Sequence, residues 1–184
     1  MNINIESMEE KLLKIGAKKI FDRIFRRRVY DYPDLRLHKQ GAWIRIRDEG
    51  DKATMTFKKR IGIKTHDGTT NDDSMEEIDI IVSDFEKTGK ILEKIGLKEK
   101  FYEENRRICY RLDDVEIDID HWPMLEPYLE IEGPSMDKVD IVIKKLGLNP
   151  KDKKIFVAYQ IYQLKGINEF DYSKITFKEQ IKKK

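Results

Sequence analysis

The sequence contains one cysteine, Cys109, among its 184 residues. A single thiol excludes an intramolecular disulfide framework and a zinc site built from several cysteines. The three histidines, His38, His66 and His121, are too far apart in the sequence to favour a histidine-rich metal site. No apolar run reaches about 18 residues, and the first residues do not have the pattern of a signal peptide. We therefore expect a cytoplasmic protein without a membrane partner.

An excess of charge of one sign is also lacking. Lysine and arginine number 37, aspartate and glutamate number 35, and the formal net charge is +2. A protein that binds nucleic acid through its overall charge is strongly basic, so we expect no nucleic-acid partner. Charged residues nevertheless make up 39% of the chain, against roughly a quarter in an average protein. Because hydrophobic residues also reach 39%, a folded core is expected. The function then depends on how the many charged residues are arranged along the chain.

Three segments have the spacing of amphipathic helices, and each is followed by a glycine that suits a left-handed C-terminal cap. Ser83 and Glu86 have the spacing of a capping box at the start of the second segment. The similar ends of the segments predict either a duplicated helix–strand unit or simply the usual way in which helices end. The three segments are residues 7–15, 83–95 and 137–146, followed by Gly16, Gly96 and Gly147.

The chain has no linker rich in proline or serine, so we expect one domain over residues 1–177. The nearest feature to a break is a polar loop over residues 64–74, with Asp67-Gly68 as its turn signal. Residues 178–184, which read KEQIKKK, are expected to be a basic, frayed tail.

Between the helices, charged and apolar residues alternate with a period of two, which is typical of strands with one ionic and one apolar face. In Trp43-Ile44-Arg45-Ile46-Arg47, for example, the two arginines share one face. Such short strands predict an antiparallel sheet whose apolar face is covered by the helices, and hence an α+β fold. The alternating runs are residues 22–30, with Arg26 and Arg28 on one face and Phe25 and Val29 on the other, 43–47, 54–60, 77–82, 107–112, 115–120 and 128–132.

The ionic side chains are sorted by sign from strand to strand. Arginine is frequent among the basic ones, and its planar group suits phosphate oxygens. Two carboxylates on one strand face repel unless a cation lies between them, and Mg²⁺ prefers carboxylate oxygens. Facing basic and acidic arcs in a closed cavity would suit a metal–triphosphate complex, whereas an open sheet with cross-strand ion pairs is the simpler alternative. The basic pairs are Arg45/Arg47, Lys58/Arg60 and Arg107/Arg111, and the acidic sets are Glu77/Asp79, Glu116/Asp118/Asp120 and Glu130/Glu132.

Five motifs in this order carry a family resemblance. They are Trp43-Ile44-Arg45-Ile46-Arg47, Thr56-Phe57-Lys58, Glu77-Ile78-Asp79, Arg107 three residues before Tyr110, and Asp120 followed by Pro123 and Glu130-Ile131-Glu132. They are similar to the Leu-Arg-x-Arg, Thr-x-Lys, Glu-x-Glu, basic and closing acidic motifs of the CYTH superfamily of triphosphate tunnel metalloenzymes. The chain most resembles the branch of that superfamily that is similar to class IV adenylyl cyclases.

The resemblance implies a closed or nearly closed antiparallel β-tunnel of about eight strands, with amphipathic helices packed outside. It implies Mg²⁺ or Mn²⁺ as cofactor and a triphosphate partner such as ATP, tripolyphosphate or thiamine triphosphate, which is cyclised or hydrolysed. Homodimers also occur in such families, and no catalytic residue is assigned. The implied phosphate-binding residues are Arg45, Arg47, Lys58, Arg107 and Arg106. The implied metal ligands are Asp118, Asp120, Glu130, Glu132, Glu77 and Asp79. Alternatively, Glu77 and Asp79 orient the basic residues instead of binding the metal.

The chain departs from the family at its start, where the family has a strand reading Glu-x-Glu-x-Lys. Here the first helix is expected near residue 7, and Asn2 and Asn4 are at best a degenerate copy of the two glutamates. We expect the chain to start after that strand, so that an in-frame upstream extension would restore it. Loss of these carboxylates would weaken metal binding, and this favours a non-catalytic phosphate- or polyphosphate-binding module as the alternative function.

Overall fold

The computed structural model describes residues 3–61, 75–154, 156 and 158–183. The predicted polar loop at 64–74, its Asp67-Gly68 turn, His66 and Asn2 lie outside these residues. Within them, no helix is both long enough and apolar enough to cross a membrane.

Strands dominate the described residues, and short helices lie between them. Each strand that the alternating pattern predicts is present, and most extend beyond the predicted run because the hydrogen-bonded ladders continue past the alternating residues. The elements are α1 Ile5–Lys14, β1 Lys18–Asp31, α2 Arg36–Lys39, β2 Ala42–Asp48, β3 Ala53–Arg60, β4 Met75–Val82, α3 Phe85–Lys94, β5 Lys98–Leu112, β6 Val115–His121, β7 Tyr128–Glu132, α4 Met136–Lys145, α5 Ala158–Leu164, β8 Tyr172–Ile175 and β9 Gln180–Lys182, with 3₁₀ turns at Pro150–Asp152 and Glu169–Asp171.

The strands are hydrogen-bonded in the order β4-β3-β2-β1-β5-β6-β7, and β8 pairs with β5 and β9. The ladders β1–β2, β2–β3, β3–β4, β5–β6 and β6–β7 are antiparallel, which confirms the predicted antiparallel sheet and the α+β class. In the part of the chain that the structure describes, no ladder joins β4 to β7, so the predicted closure into a β-tunnel is not confirmed.

The chain divides into two compact units, each built from two separate stretches. The first unit contains Met1–Ile24 and Asn105–Phe156, and the second contains Phe25–Glu104 and Val157–Lys184. The long strands β1 and β5 contribute residues to both. The prediction of a frayed tail over residues 178–184 is wrong for Gln180–Lys182, because these residues form β9 and pair with β8.

In the first unit, α1 and α4 cover the apolar face of β5 and β6. Met8 and Leu12 of α1 belong to the same buried cluster as Val142 of α4 and the strand residues Ile108 and Ile117. Each fully buried aliphatic side chain contributes about 1.5–3 kcal/mol relative to an exposed one. The predicted amphipathic helices therefore cover the apolar side of the strands and leave the ionic side to other contacts.

In the second unit, α3 covers β1 and β2 in the same way. Phe85 and Leu92 of α3 pack in one buried cluster with Tyr30 and Ile46. The predicted capping box at Ser83 is wrong, because Asp84 is the N-cap residue and its carboxylate accepts a hydrogen bond from the Lys87 amide. Helix α1 likewise begins earlier than predicted, since Asn4 accepts from the Ser7 amide and caps it.

The three predicted glycine caps are confirmed. Gly16, Gly96 and Gly147 have φ angles of +87°, +102° and +72°. After Gly16, the Ala17 amide donates to the Leu12 carbonyl at 3.0 Å, and the other two helix ends make the equivalent bond. Helices α1 and α3 are each followed by a strand, β1 and β5, whereas α4 is followed by the Pro150–Asp152 turn. The helix–strand arrangement therefore occurs after two of the three glycine-capped helices.

The α3 residue Gly89 is required by a close approach of β1. A Cβ atom at this position would lie 2.5 Å from the hydroxyl oxygen of Tyr30, a side chain that is fully buried. Alanine normally stabilises a helix interior relative to glycine. Here we expect Gly89→Ala to lower the free energy of unfolding by about 1–3 kcal/mol through overpacking, measured by chemical denaturation.

The matched control is the double variant Gly89→Ala/Tyr30→Phe, which removes the obstructing hydroxyl. In the Tyr30→Phe background, Gly89→Ala is expected to lower the free energy of unfolding much less than it does in the natural chain, because the obstructing hydroxyl is absent. A Gly89→Ala protein as stable as the natural chain would contradict this packing.

Candidate functional site

The ionic side chains of β2, β3 and β4 share one face of the sheet in the second unit, as the alternation predicts. Arg45 is directly opposite Thr56, and Thr56 is in turn opposite Asp79. Lys58 is opposite Glu77 in the same ladder. We call this side of the sheet the ionic face, and the opposite side, which contacts α3, the helix face.

Strand β1 contributes Arg27 to the ionic face, where the sequence pattern predicted Arg26 and Arg28. Arg27 is the register partner of Arg47, and it is buried. Arg26 and Arg28 lie on the helix face, where their guanidinium groups stand 5.5 and 5.0 Å from the ring centre of Phe85. Arginine can bury its aliphatic stem against an aromatic ring, so charge alone did not indicate which side of β1 faces the helix.

Arg27, Arg45 and Arg47 form what we call the cationic cluster. Burial, reinforced by the charges of Arg27 and Arg47, lowers the pKa of Arg45 to about 9. The Nε atom of Arg45 is buried and has no hydrogen-bond acceptor among the described residues. Arg47 donates to Glu49 at 2.8 Å. A buried arginine destabilised by its neighbours in this way would be stabilised by a bound anion.

Glu77 and Asp79 contact the basic and hydroxyl groups beside the cationic cluster. The Nζ atom of Lys58 is 2.8 Å from a carboxylate oxygen of Glu77, and the Thr56 hydroxyl donates to Asp79. Burial would raise the pKa of Asp79, but the Thr56 hydrogen bond and the charges of Arg45 and Lys58 lower it overall. This arrangement suits the alternative in which these two carboxylates orient basic side chains.

The first unit has its own ionic centre, formed where Arg107 of β5 contacts β6 and β7. Its guanidinium group binds both oxygens of Asp120, at 2.8 and 2.6 Å, and contacts Asp118 at 2.6 Å and Glu130 at 2.5 Å. Asn105 also donates to Asp120, at 3.2 Å. We call Asp118, Asp120 and Glu130 the carboxylate cluster, and the side of β5, β6 and β7 that carries them together with Arg107 the ionic face of the first unit.

The carboxylate cluster holds more negative charge than Arg107 can neutralise. Burial raises the pKa of Glu130 to about 7 and that of Asp118 to about 6, and the neighbouring carboxylates add to both effects. The Oδ1 atom of Asp118 is buried and has no hydrogen-bond donor among the described residues. Buried oxygen donors with excess negative charge fit a divalent cation, which would neutralise the charge and use the unpaired oxygen.

Two predicted site residues stand apart from these contacts. Arg106 binds both oxygens of Asp22 at 2.8 Å. It follows the strand alternation to the side opposite Arg107, so the structure does not bring it to the carboxylate cluster. Glu132 is on the ionic face of β7 but is exposed, and its register partner is Glu116.

Sequence reasoning missed the acidic pair Glu103 and Glu169 in the second unit, which is buried. Burial raises the pKa of Glu103 to about 7, against the opposing charges of Arg27 and Arg45. Burial and the charge of Glu103 raise the pKa of Glu169 to about 8. Glu103 and Arg107 are four residues apart in β5 and therefore lie on the same side of the strand, so extending the alternating pattern toward the start of β5 would have identified Glu103. Glu169 lies in a 3₁₀ turn, where no alternating pattern could have indicated it.

The described residues also include three ligand atoms that are close together on β5 and β6. The Sγ atom of Cys109 and one oxygen each from Glu116 and Asp118 lie within 4.8 Å of one another. Cys109 is buried, and its pKa is raised well above the usual range by burial and by the charges of Asp118 and Glu116.

Comparisons with known proteins agree with the resemblance in the sequence. The sequence model of the CYTH domain matches residues 3–155. A Methanocaldococcus jannaschii protein, provisionally named an adenylate cyclase, is 29% identical over 159 residues, which cover 86% of this chain and 81% of that protein.

Solved structures with the same fold include proteins from an archaeon and a plant. A Pyrococcus horikoshii protein matches with a TM-score of 0.68 at 18% identity, covering 87% of this chain and 94% of that one. A Hippeastrum protein, provisionally called an adenylyl cyclase and described as having a dominant triphosphatase activity, matches with a TM-score of 0.61 at 15% identity, covering 90% and 93% of the two chains. At such identities these likenesses establish the fold alone.

The buried carboxyls predict how stability changes with pH. The pKa of Glu169 is about 8 in the folded protein and near 4.5 when unperturbed, so between these values the folded state binds more protons. The free energy of unfolding should therefore fall as pH rises from 5 to 8. We expect Glu169→Gln to reduce this fall by at least about 1 kcal/mol, measured by urea denaturation across that range.

Glu10→Gln, at an exposed position of α1, is the matched control and should follow the pH profile of the natural chain. If Glu169→Gln gave a profile parallel to that of the natural chain, the assignment of a protonated buried carboxyl would be wrong.

Proposed function

Because the chain belongs to the CYTH domain family, we propose that it binds a triphosphate compound together with a divalent cation and acts on the triphosphate group. The observation that carries this proposal is the separation of buried charge into a cationic cluster and a carboxylate cluster. In the first cluster Arg45 is buried beside like charges, and in the second Glu130 and Asp118 are buried beside like charges. One cluster suits phosphate oxygens and the other suits a metal ion.

Arg45, Arg47 and Lys58 are the proposed phosphate-binding residues. Arginine side chains in a water-poor site bind phosphate oxygens through charge-assisted hydrogen bonds, which are stronger than hydrogen bonds between neutral groups. We add Arg27 to this set because it belongs to the same buried cluster. Glu77 and Asp79 would hold Lys58 and Thr56 in position, from the contacts they make now.

Asp118, Asp120 and Glu130 are the proposed metal-binding residues, with Glu132 nearby on the same strand as Glu130. All offer hard oxygen donors, which suit Mg²⁺ or Mn²⁺. A divalent cation bound there supplies neutralisation of phosphate charge and a polarised water. Arg107 now engages these carboxylates, so its predicted role in phosphate binding requires its guanidinium group to be shared with them.

We propose hydrolysis of the triphosphate as the reaction, in which water attacks the terminal phosphorus, the bond from that phosphorus to the bridging oxygen breaks, the diphosphate portion leaves and inorganic phosphate is released. The arginines would neutralise charge that develops on the phosphate oxygens, which is the main task in phosphoryl transfer. Cyclisation of ATP is the second candidate, because the Methanocaldococcus jannaschii relative is provisionally named an adenylate cyclase. In that case the ribose 3′-hydroxyl attacks the α-phosphorus and pyrophosphate leaves.

A product assay tests this proposal and separates its alternatives. The chain is incubated with ATP, tripolyphosphate or thiamine triphosphate under Mg²⁺ or Mn²⁺, and phosphate and cyclic nucleotide are both measured. Released phosphate supports hydrolysis, and cyclic AMP with pyrophosphate supports cyclisation. Binding of a triphosphate without turnover under either ion would instead support the phosphate-binding module, and no binding would reject both.

The variant Glu130→Gln tests the metal site. It keeps the side-chain shape but removes a charge, so we expect the metal concentration that gives half-maximal turnover to rise by at least about tenfold. The melting temperature should not fall, since a buried carboxyl with a raised pKa is replaced by a neutral amide. An unchanged metal titration would exclude Glu130 as a ligand.

The variant Arg45→Ala tests the phosphate site by isothermal titration calorimetry with tripolyphosphate. Losing charge-assisted hydrogen bonds should weaken binding about 10–100-fold. Stability should be retained, because a repelling buried charge is removed. Arg26→Ala is the matched control, since Arg26 lies on the helix face beside Phe85 and should leave the affinity unchanged. Equal affinities for the two variants would refute the assignment.

A further inference from the structure

Cys109, Glu116 and Asp118 place a sulfur and two oxygens close together on the ionic face of the first unit. One ligand atom from each lies within 4.8 Å of the other two. Cys109 and Asp118 are directly opposite each other across β5 and β6, and Glu116 lies two residues before Asp118 on the same side of β6. Cys109 and Asp118 are 1% and 2% exposed, so two of the three groups are held in a water-poor place.

One buried oxygen in this group lacks a partner. Asp118 contacts Arg107 through Oδ2 at 2.6 Å and lies within hydrogen-bonding reach of the Cys109 thiol, whereas its Oδ1 atom is buried and no donor in the described ranges has the geometry of a hydrogen bond to it. A buried carboxylate oxygen that neither a donor nor a cation satisfies is unfavourable. The atom therefore points to a ligand rather than to a purely structural role.

The next strand adds to the negative charge around these residues. Glu130 and Glu132 of β7 are directly opposite Asp118 and Glu116. Like charges at directly opposed positions of an antiparallel pair destabilise it. Arg111 contacts only one oxygen of Glu116, at 3.1 Å, in a pair that is largely open to solvent and hence weak. A bound cation would offset this repulsion.

We propose that Cys109, Glu116 and Asp118 form a binding site for a thiophilic divalent cation such as Zn²⁺. The site shares Asp118 with the carboxylate cluster, but its sulfur ligand selects a different class of ion from Mg²⁺ or Mn²⁺. The proposal does not require any triphosphate to bind, so it stands or falls independently of the proposed function.

The geometry fits zinc after a small adjustment. Zinc binds sulfur at about 2.3 Å and carboxylate oxygen at about 2.0–2.2 Å, which places tetrahedral ligands about 3.5 Å apart. The three ligand atoms need to approach by about 1 Å, within the range of side-chain rotation. Three protein ligands leave the fourth position for water. Glu116, the partly exposed member, gives the ion a route from solvent.

Binding converts the Cys109 thiol into a thiolate. The S–H bond breaks, the sulfur donates its electron pair to the cation, and the proton leaves to solvent. A divalent cation bound between Cys109 and the two carboxylates favours the thiolate over the thiol.

Cadmium is the probe, because a cadmium–thiolate bond gives an ultraviolet charge-transfer absorption that a carboxylate site does not. We expect the full chain to develop this absorption with one equivalent of Cd²⁺, and Zn²⁺ to abolish it by competition. Because Asp118 is shared with the carboxylate cluster, excess Mg²⁺ should raise the Cd²⁺ concentration needed but should not abolish the absorption, since Mg²⁺ does not bind the sulfur. Glu116→Gln should weaken Cd²⁺ binding by at least about tenfold, with Cys109 still present.

Cys109→Ser removes the sulfur while keeping the size, and Cys109→Ala is the second variant in case the hydroxyl disturbs the buried position. Both should lose the absorption while their circular dichroism matches that of the natural chain. Glu10→Gln, which alters an exposed carboxylate of α1 far from the three ligands in sequence, is the matched control and should keep the absorption. No absorption from the folded natural chain, or an absorption that persists without Cys109, would overturn the proposal.

Discussion

Charge that is buried without full neutralisation is the constraint on which this protein depends. Arg107 is surrounded by Asp118, Asp120 and Glu130, so one positive group faces three negative ones. Elsewhere, Arg45 is buried beside two other arginines. Burying such groups is costly unless the protein or a ligand pairs them. The proposed function and the expected pH response both follow from where these unequal charges are placed.

The helices make this arrangement possible. Leucine, valine and isoleucine side chains of α1 and α4 pack on the apolar side of β5 and β6, and α3 does the same for β1 and β2. Because one side of each strand already supplies the hydrophobic stabilisation, the other side is free to carry charge. The approach at Gly89 brings α3 close to β1, where a larger residue would meet the Tyr30 hydroxyl.

The two clusters favour different classes of ligand. Guanidinium groups stabilise phosphate oxygens, and carboxylates stabilise a hard cation. In the proposed thiophilic site, the sulfur of Cys109 lies near Asp118 of the second cluster. Under these proposals, anions are bound by the first cluster, hard cations by the second, and thiophilic cations by Cys109 and Glu116 together with the shared Asp118.

The alternation of charged and apolar residues determined the strands, the antiparallel pairing and the ionic face of Arg45, Lys58, Asp118 and Glu130, since side-chain direction in a strand has a period of two. The ordered motifs determined the family. Tertiary structure alone decided that Arg27, rather than its neighbours Arg26 and Arg28, joins the cationic cluster, because three consecutive arginines do not reveal which side meets a helix.

The same is true of Glu169, which acquires its raised pKa only by being buried near Glu103, a residue distant in sequence. The N-cap of α3 is Asp84 and not the neighbouring Ser83. Serine and aspartate are both favourable N-cap residues, so the sequence alone did not distinguish them. The sequence by itself therefore determined which residue types alternate and where. Which charges become neighbours, and which lose contact with water, was decided by long-range packing, because burial and Coulomb interactions depend on distances in space and not on spacing along the chain.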